Sequence, residues 1–261
     1  MRHRKHLLSS LFVAALVLGG WASAQAQTEI TLRAPLPMKE SFDQLIPKFE
    51  MKTGYKVMAT YGTGVGTKQE AAKGEPYDVF VILPPYDEAL NSGNLVKKDG
   101  KIVGAFILAM TVKKGAPLPD ISSAASVKKV LLDAKTISTV DPTMGSVGVA
   151  TNECLTKLGI KDQVQSKVTY VPNGGGVGKM VTDGTAEIGL GPYVSDLKGN
   201  KNPNLIVVGG LPKEASTPTN IFIVPATHAK DAKASKQLVD FLDTAEAKAV
   251  YEEAGIQAGK K

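Results

Sequence analysis

Residues 55–61 (YKVMATY) alternate apolar and polar positions, whereas residues 38–53 place Phe42, Leu45, Ile46 and Phe49 on one helical face. The first pattern predicts a half-buried strand and the second an amphipathic helix closed by Gly54. The same two periods predict further strands at 29–34, 77–83, 104–113, 136–140, 167–171, 186–190, 205–208 and 220–224. Between them lie predicted helices at 67–73, from Pro84-Pro85 to near Gly93, at 127–132, at 148–158 and at 177–183, with a helical C-terminus over 229–254. Strands alternating with helices argue for α/β layers with mixed, mainly parallel sheets and flanking helices.

The alternation runs through two blocks with no Pro/Gly/Ser-rich linker between them and no internal repeat. The economical architecture is two lobes joined by chain crossings, lobe 1 from residues 27–105 plus 220–261 and lobe 2 from 106–219. A single doubly wound sheet is the alternative. In either case ligands belong at the carboxyl ends of strands, near helix N-termini.

Residues 1–26 stand apart from this pattern. MRHRKH is basic, an apolar stretch of leader length follows, and the A-x-A sites at Ala22-Ser23-Ala24 and Ala24-Gln25-Ala26 close it. The expectation is a cleaved signal peptide and a soluble periplasmic product with no stable membrane insertion. Removing Arg2, Arg4 and Lys5 leaves 28 basic residues against 25 acidic ones, a net of +3 instead of +6. So weak a surplus, with no basic run interleaved with aromatics, excludes a nucleic-acid footprint. After the leader the chain keeps one His, one Cys and one Arg. A His/Cys metal cluster and an internal disulfide are excluded by count, and no cofactor motif is present. A Ser-His-Asp triad would have to use His228, which lies in a solvated helix start.

The chemistry concentrates in YGTGVGTKQEAAKGEPYDVFV, residues 61–81. Gly62, Gly64 and Gly66 free the backbone between a strand and a helix. A helix N-terminus carries about half a positive charge and unpaired N–H donors, so the loop reads as half of an anion pocket. Residues 143–146 (TMGS) and 173–176 (NGGG) each precede another helix and repeat that logic, with Ser146 expected as a cap. Arg33 closes the first strand, Lys39 opens the first helix and Lys68 opens the helix after the glycine loop. An Arg fork matches a carboxylate and Lys acts as a movable point charge, so these cations suit a multi-carboxylate acid.

The chain resembles the molybdate-binding proteins of ABC importers, within the type II periplasmic binding fold. FEMKTG (49–54), the YGTG loop, GEPYDVFV (74–81), STVDPTMGSVG (138–148) and EIGLGPYVSD (187–196) carry the resemblance over essentially the whole exported chain. The resemblance implies a two-lobed α/β receptor, monomeric, that closes on a small anion and delivers it to an ABC permease. In that family a Ser after the first strand and a Ser in the glycine loop hold the oxyanion; here the matching positions are Pro37 and Gly64. The family's pocket Tyr matches Tyr193. The expected ligand contacts are Arg33, Pro37, Lys39, Gly64, Val65, Thr67, Lys68, Ser146, Val147, Asn173, Gly174 and Tyr193.

Two lost hydroxyl donors remove hydrogen bonds worth about 1.5–3 kcal/mol each to a charged partner. The expected ligand is therefore an organic di- or tricarboxylate ahead of molybdate. Some exported relatives resemble aconitate isomerases, which implies a second expectation: cis/trans-aconitate conversion by allylic proton transfer, with Lys68 or Tyr193 as the base. A receptor that signals occupancy to a membrane sensor is a third.

Overall fold

The computed structural model describes residues 28–192 and 202–258. The first sheet is built from β1 (Glu29–Pro35), β2 (Lys56–Gly62), β3 (Val79–Ile82), β4 (Lys101–Phe106), β10 (Thr219–Pro225) and β11 (Gln257–Ala258), in the order β11-β4-β10-β3-β1-β2. The second holds β5 (Leu108–Lys113), β6 (Ile137–Val140), β7 (Val168–Val171), β8 (Ile188–Pro192) and β9 (Leu205–Gly210), in the order β7-β6-β8-β5-β9. Each sheet is mixed. β1 pairs parallel with β2 and β3, and β6 pairs parallel with β7 and β8. The strands that enter or leave a sheet pair antiparallel: β10 with β3 and β4, β5 with β8 and β9.

The helices follow from local signals. α1 (Lys39–Thr53) buries Phe42, Leu45 and Phe49 and ends at Gly54, whose φ of 75° suits a residue without Cβ. α2 (Gly64–Lys73) and α3 (Asp87–Asn91) cover β3 from the other side, with Ala71, Phe80 and Ala89 fully buried between them. α4 (Ala124–Asp133), α5 (Ser146–Lys157), α6 (Lys161–Val164) and α7 (Gly174–Asp183) dress the second sheet. α8 (Ala232–Leu242) and α9 (Ala245–Glu253) return to the first, where Leu238, Val239, Leu242 and Tyr251 pack with Ile30, Leu32, Phe42 and Ile223. Full burial of such side chains stabilises by about 1.5–3 kcal/mol each. A separate cluster, including Met110, Leu131, Ile137, Cys154, Leu155 and Leu190, fills the space under α4–α6.

Three expectations change. The strand expected over 104–113 is two strands, broken at Ile107, and its halves belong to different sheets. Phe106 pairs with Thr219 in one sheet and Leu108 with Pro192 in the other, so the chain crosses between sheets within three residues. The C-terminal helix over 229–254 is interrupted at Asp243, because Thr244 accepts a hydrogen bond from the Ala247 N–H and caps a new helix. The helix after the glycine loop starts at Gly64, not Thr67, because Thr63 caps it by accepting from the Gly66 N–H at 3.0 Å.

Asp78 shows how β1 and β3 are held in place for the site. Its carboxylate is almost fully buried and accepts from the Thr31 N–H and hydroxyl, both at 2.7 Å, and from the Lys230 N–H at 2.7 Å. Burial opposes the charge, but these donors outweigh it and hold the pKa below the usual carboxylate value.

Candidate functional site

Two helix N-termini meet at the carboxyl ends of the strands. α2 follows β2 and α5 follows β6, the position at which open α/β sheets bind ligands. The first N–H groups of a helix have no intrahelical partner. In α2 Thr63 satisfies Gly66, and the Gly64 and Val65 amides at the mouth lie outside the helical ladder. In α5 the N-cap is Gly145, and no side chain caps the first turn. Ser146 is thus the first helical residue and not the expected cap. Its half-buried hydroxyl has no hydrogen-bond partner among the described residues.

The two mouths face each other at close range. A β-carbon at position 64 would lie 2.5 Å from Ser146 Oγ and 2.9 Å from Leu83 Cδ1, so the α5 serine occupies the space over Gly64. The approach of α5 to its own strand is equally tight. A β-carbon on Gly148 would lie 2.5 Å from the Pro142 nitrogen and closer still to the Val140 carbonyl oxygen. That glycine lets α5 start directly above β6.

The expected cations fall into different settings. The Arg33 guanidinium is committed to Glu70: Nε and Nη2 donate to the two carboxylate oxygens at 2.5 and 2.9 Å, with the group over the Tyr77 ring. Its pKa is raised, chiefly by the Glu70 hydrogen bond. The fork that could have held a ligand carboxylate instead ties α2 to β1. Lys39 is half exposed, pairs with Asp43 at 2.6 Å one turn on, and lies over the Tyr61 ring. Lys68 is different. It is half-buried and has no hydrogen-bond or ion-pair partner within 4.0 Å among the described residues, although it feels the charge of Glu88. Burial lowers its pKa, and Glu88 only partly opposes this. Positions i and i+4 share a helix face, so Lys68 lies on the same face of α2 as Gly64, one turn on.

The remaining expected residues sit on several elements. Pro37 sits in the 3-10 turn Leu36–Met38 between β1 and α1. Thr67 is fully buried and donates its hydroxyl to the Thr63 carbonyl at 2.9 Å, tightening the α2 cap. Val65 and Val147 are half-buried at the two mouths. Asn173 caps α7 by accepting from the Gly176 N–H, and it and Gly174 are exposed. Tyr193 lies outside the described residues. Sequence reasoning missed Glu70 as the partner of Arg33 and Leu83 as a wall beside Gly64; neither carries a local signal.

A surface groove of about 410 Å³ lies along α5, lined by Pro142, Val149, Asn152, Glu153, Thr156 and Lys157. Its walls carry charges of both signs and none of the open amides, so it does not match the anion site. Among the described residues no group of three or more His, Cys, Asp or Glu could hold a metal ion. No helix among them is long and apolar enough to cross a membrane.

A family model for bacterial extracellular solute-binding proteins matches residues 30–257, nearly the whole of the two sheets just described. The chain belongs to that family. This solute-binding protein is 26% identical to an aconitate isomerase of Pseudomonas sp, over 96% of each chain. It is equally identical to the molybdate-binding protein ModA of Azotobacter vinelandii, over 90% of this chain and 92% of the relative. Among solved structures, the substrate binding domain of a putative molybdenum ABC transporter from Clostridium difficile superposes with a TM-score of 0.72 at 19% identity, over 90% of this chain and all of that one. The fold is thus the two-lobed type II periplasmic binding fold, as the resemblance implied. As a member of that family the protein takes a small solute as its ligand.

Proposed function

We infer that this is a periplasmic receptor whose two lobes, 27–105 plus 220–261 and 106–219, close on a small organic di- or tricarboxylate for delivery to an ABC permease. The observation that carries the reading is the Gly64–Ser146 approach, which brings two open helix mouths together with half-buried Lys68 one turn above. Unpaired amides and a single movable cation favour an anion. Pro37 and Gly64, standing where molybdate-binding relatives of the family have hydroxyls, favour carboxylate over a compact tetrahedral oxyanion. Tyr193, by its match to the family's pocket tyrosine, belongs to the same reading.

Calorimetry and thermal shift against citrate, cis-aconitate, succinate, molybdate and sulfate test it. A ligand at about 100 times its Kd stabilises the folded state by about 2.7 kcal/mol, an easily read shift. Carboxylates should bind and raise the melting temperature, with molybdate and sulfate ineffective. Tight molybdate binding with no carboxylate binding would overturn the ligand assignment.

A second reading is favoured by one specific observation, the lowered pKa of Lys68. A less basic lysine is more often neutral and able to accept a proton. As an aconitate isomerase the protein would move a proton from the methylene carbon of cis-aconitate to the former vinyl carbon, shifting the double bond. NMR of cis-aconitate incubated with the protein would show the trans isomer, and Lys68→Ala would abolish it. Binding without conversion leaves the receptor reading in place.

A further inference from the structure

Gly64 stands where relatives place a hydroxyl donor, yet its surroundings give it a different role. The serine hydroxyl from α5 stands where a side chain at position 64 would begin, at 2.5 Å from that β-carbon position. Gly64 is buried and its φ lies outside the left-handed region, so its backbone conformation is open to any residue. Alanine would also be a better helix former there. What glycine supplies is clearance, not backbone freedom. The Ser146 hydroxyl, in turn, neither caps α5 nor hydrogen-bonds to any described residue, so its position is not explained by the local needs of α5. Leu83, at 2.9 Å, is the only other residue that close to the β-carbon position among the described neighbours, and it belongs to the Gly64 side of the cleft, just after β3.

We propose that Gly64 and Ser146 form the closure seat of the cleft: a positioning pair whose contact sets how near the α2 and α5 amides approach a shared anion. This rests on the receptor reading above. A β-carbon at 64 keeps the mouths apart and leaves the anion with one set of amides. Deleting the Ser146 side chain lets them meet again. The pair therefore acts on affinity through lobe distance, separately from any packing cost at Leu83.

The test is a double-mutant cycle on the full exported chain: wild type, Gly64→Ala, Ser146→Gly and both together. Calorimetry uses citrate, cis-aconitate, molybdate and sulfate as probes. Spin-label distances between one site on each lobe, with and without probe, report closure, and thermal unfolding reports stability. Gly64→Ala should weaken binding about tenfold or more and lengthen the lobe distance, and any lowering of the melting temperature, which comes from Leu83, should persist in the double variant. Adding Ser146→Gly should restore both binding and distance. Wild-type affinity in Gly64→Ala overturns the proposal. So does a loss that Ser146→Gly fails to recover, which assigns the effect to Leu83. If the wild type binds none of the four probes, the receptor reading fails instead. The seat is then still decided by the ligand-free distances: opening in Gly64→Ala reversed in the double variant supports it, and no change overturns it.

Discussion

α2 and α7 are close to the same helix written twice. Each has ten residues, a glycine-rich first turn, a side-chain cap that accepts from the third residue's N–H, and a left-handed glycine at its end, Gly74 at 73° and Gly184 at 78°. Their settings differ. Gly64 is buried under Ser146, whereas a β-carbon on Gly174 would meet nothing within 4 Å. At the fifth position α2 carries half-buried Lys68 and α7 carries Gly178. Capping and glycine content make a helix mouth. What sets the α2 mouth apart is an opposing element across it and a desolvated cation one turn on.

The largest contrast of this kind comes from adding a methyl to a crowded first turn, that of α5 opposite α2, and to the open one of α7. Gly148→Ala, in α5, drives a carbon into the β6 backbone and should destabilise by about 3 kcal/mol, read by denaturant unfolding. Gly174→Ala should instead stabilise by about 0.4–1 kcal/mol through the unfolded chain. Equal effects would mean that the close approach of α5 is not real.

Next in size is the charge at Lys68. Lys68→Gln should lower anion affinity by about tenfold, since a hydrogen bond to a charged group contributes about 1.5–3 kcal/mol. The sign with pH follows from the lowered pKa. Lys68 is cationic below that value and neutral above it, so affinity should fall as pH rises, and at lower pH than for an exposed lysine. Lys68→Arg, charged at every accessible pH, should flatten the profile. A profile unchanged in Lys68→Arg would remove Lys68 from the site.

The smallest effects come from the caps. Thr63→Ala and Asn173→Ala should each cost about 1 kcal/mol of stability. Thr63→Ala should also weaken ligand binding, because its α2 mouth meets α5 at Gly64.

Periodicity placed most elements within a few residues, because each buries one face and the faces repeat. Where the expectation differs from the fold, the deciding contact is distant. Nothing in GAFILAMTVK marks Ile107 as a crossing; the division is made by pairing with Thr219 on one side and Pro192 on the other, both far along the chain. Glycines at 64 and 174 read as loop because their helix propensity is poor, yet Thr63 and Asn173 caps bring them into the first turn. The glycine mouths were legible as mouths. Which of them meets another was not, and neither was the capture of Arg33 by Glu70, 37 residues away.

The strand order of the first sheet constrains how the chain can assemble as it is synthesised. β4 lies between β10 and β11, both of which arrive only after the whole second sheet has been delivered. The second sheet comes from one unbroken stretch and can complete itself early. A fragment ending at Phe106 leaves β4 without a neighbour, its ladder groups exposed to whatever strand comes by. The sheet that is translated first is thus the last to be finished, and the short strand Gln257–Ala258 is its closing stitch.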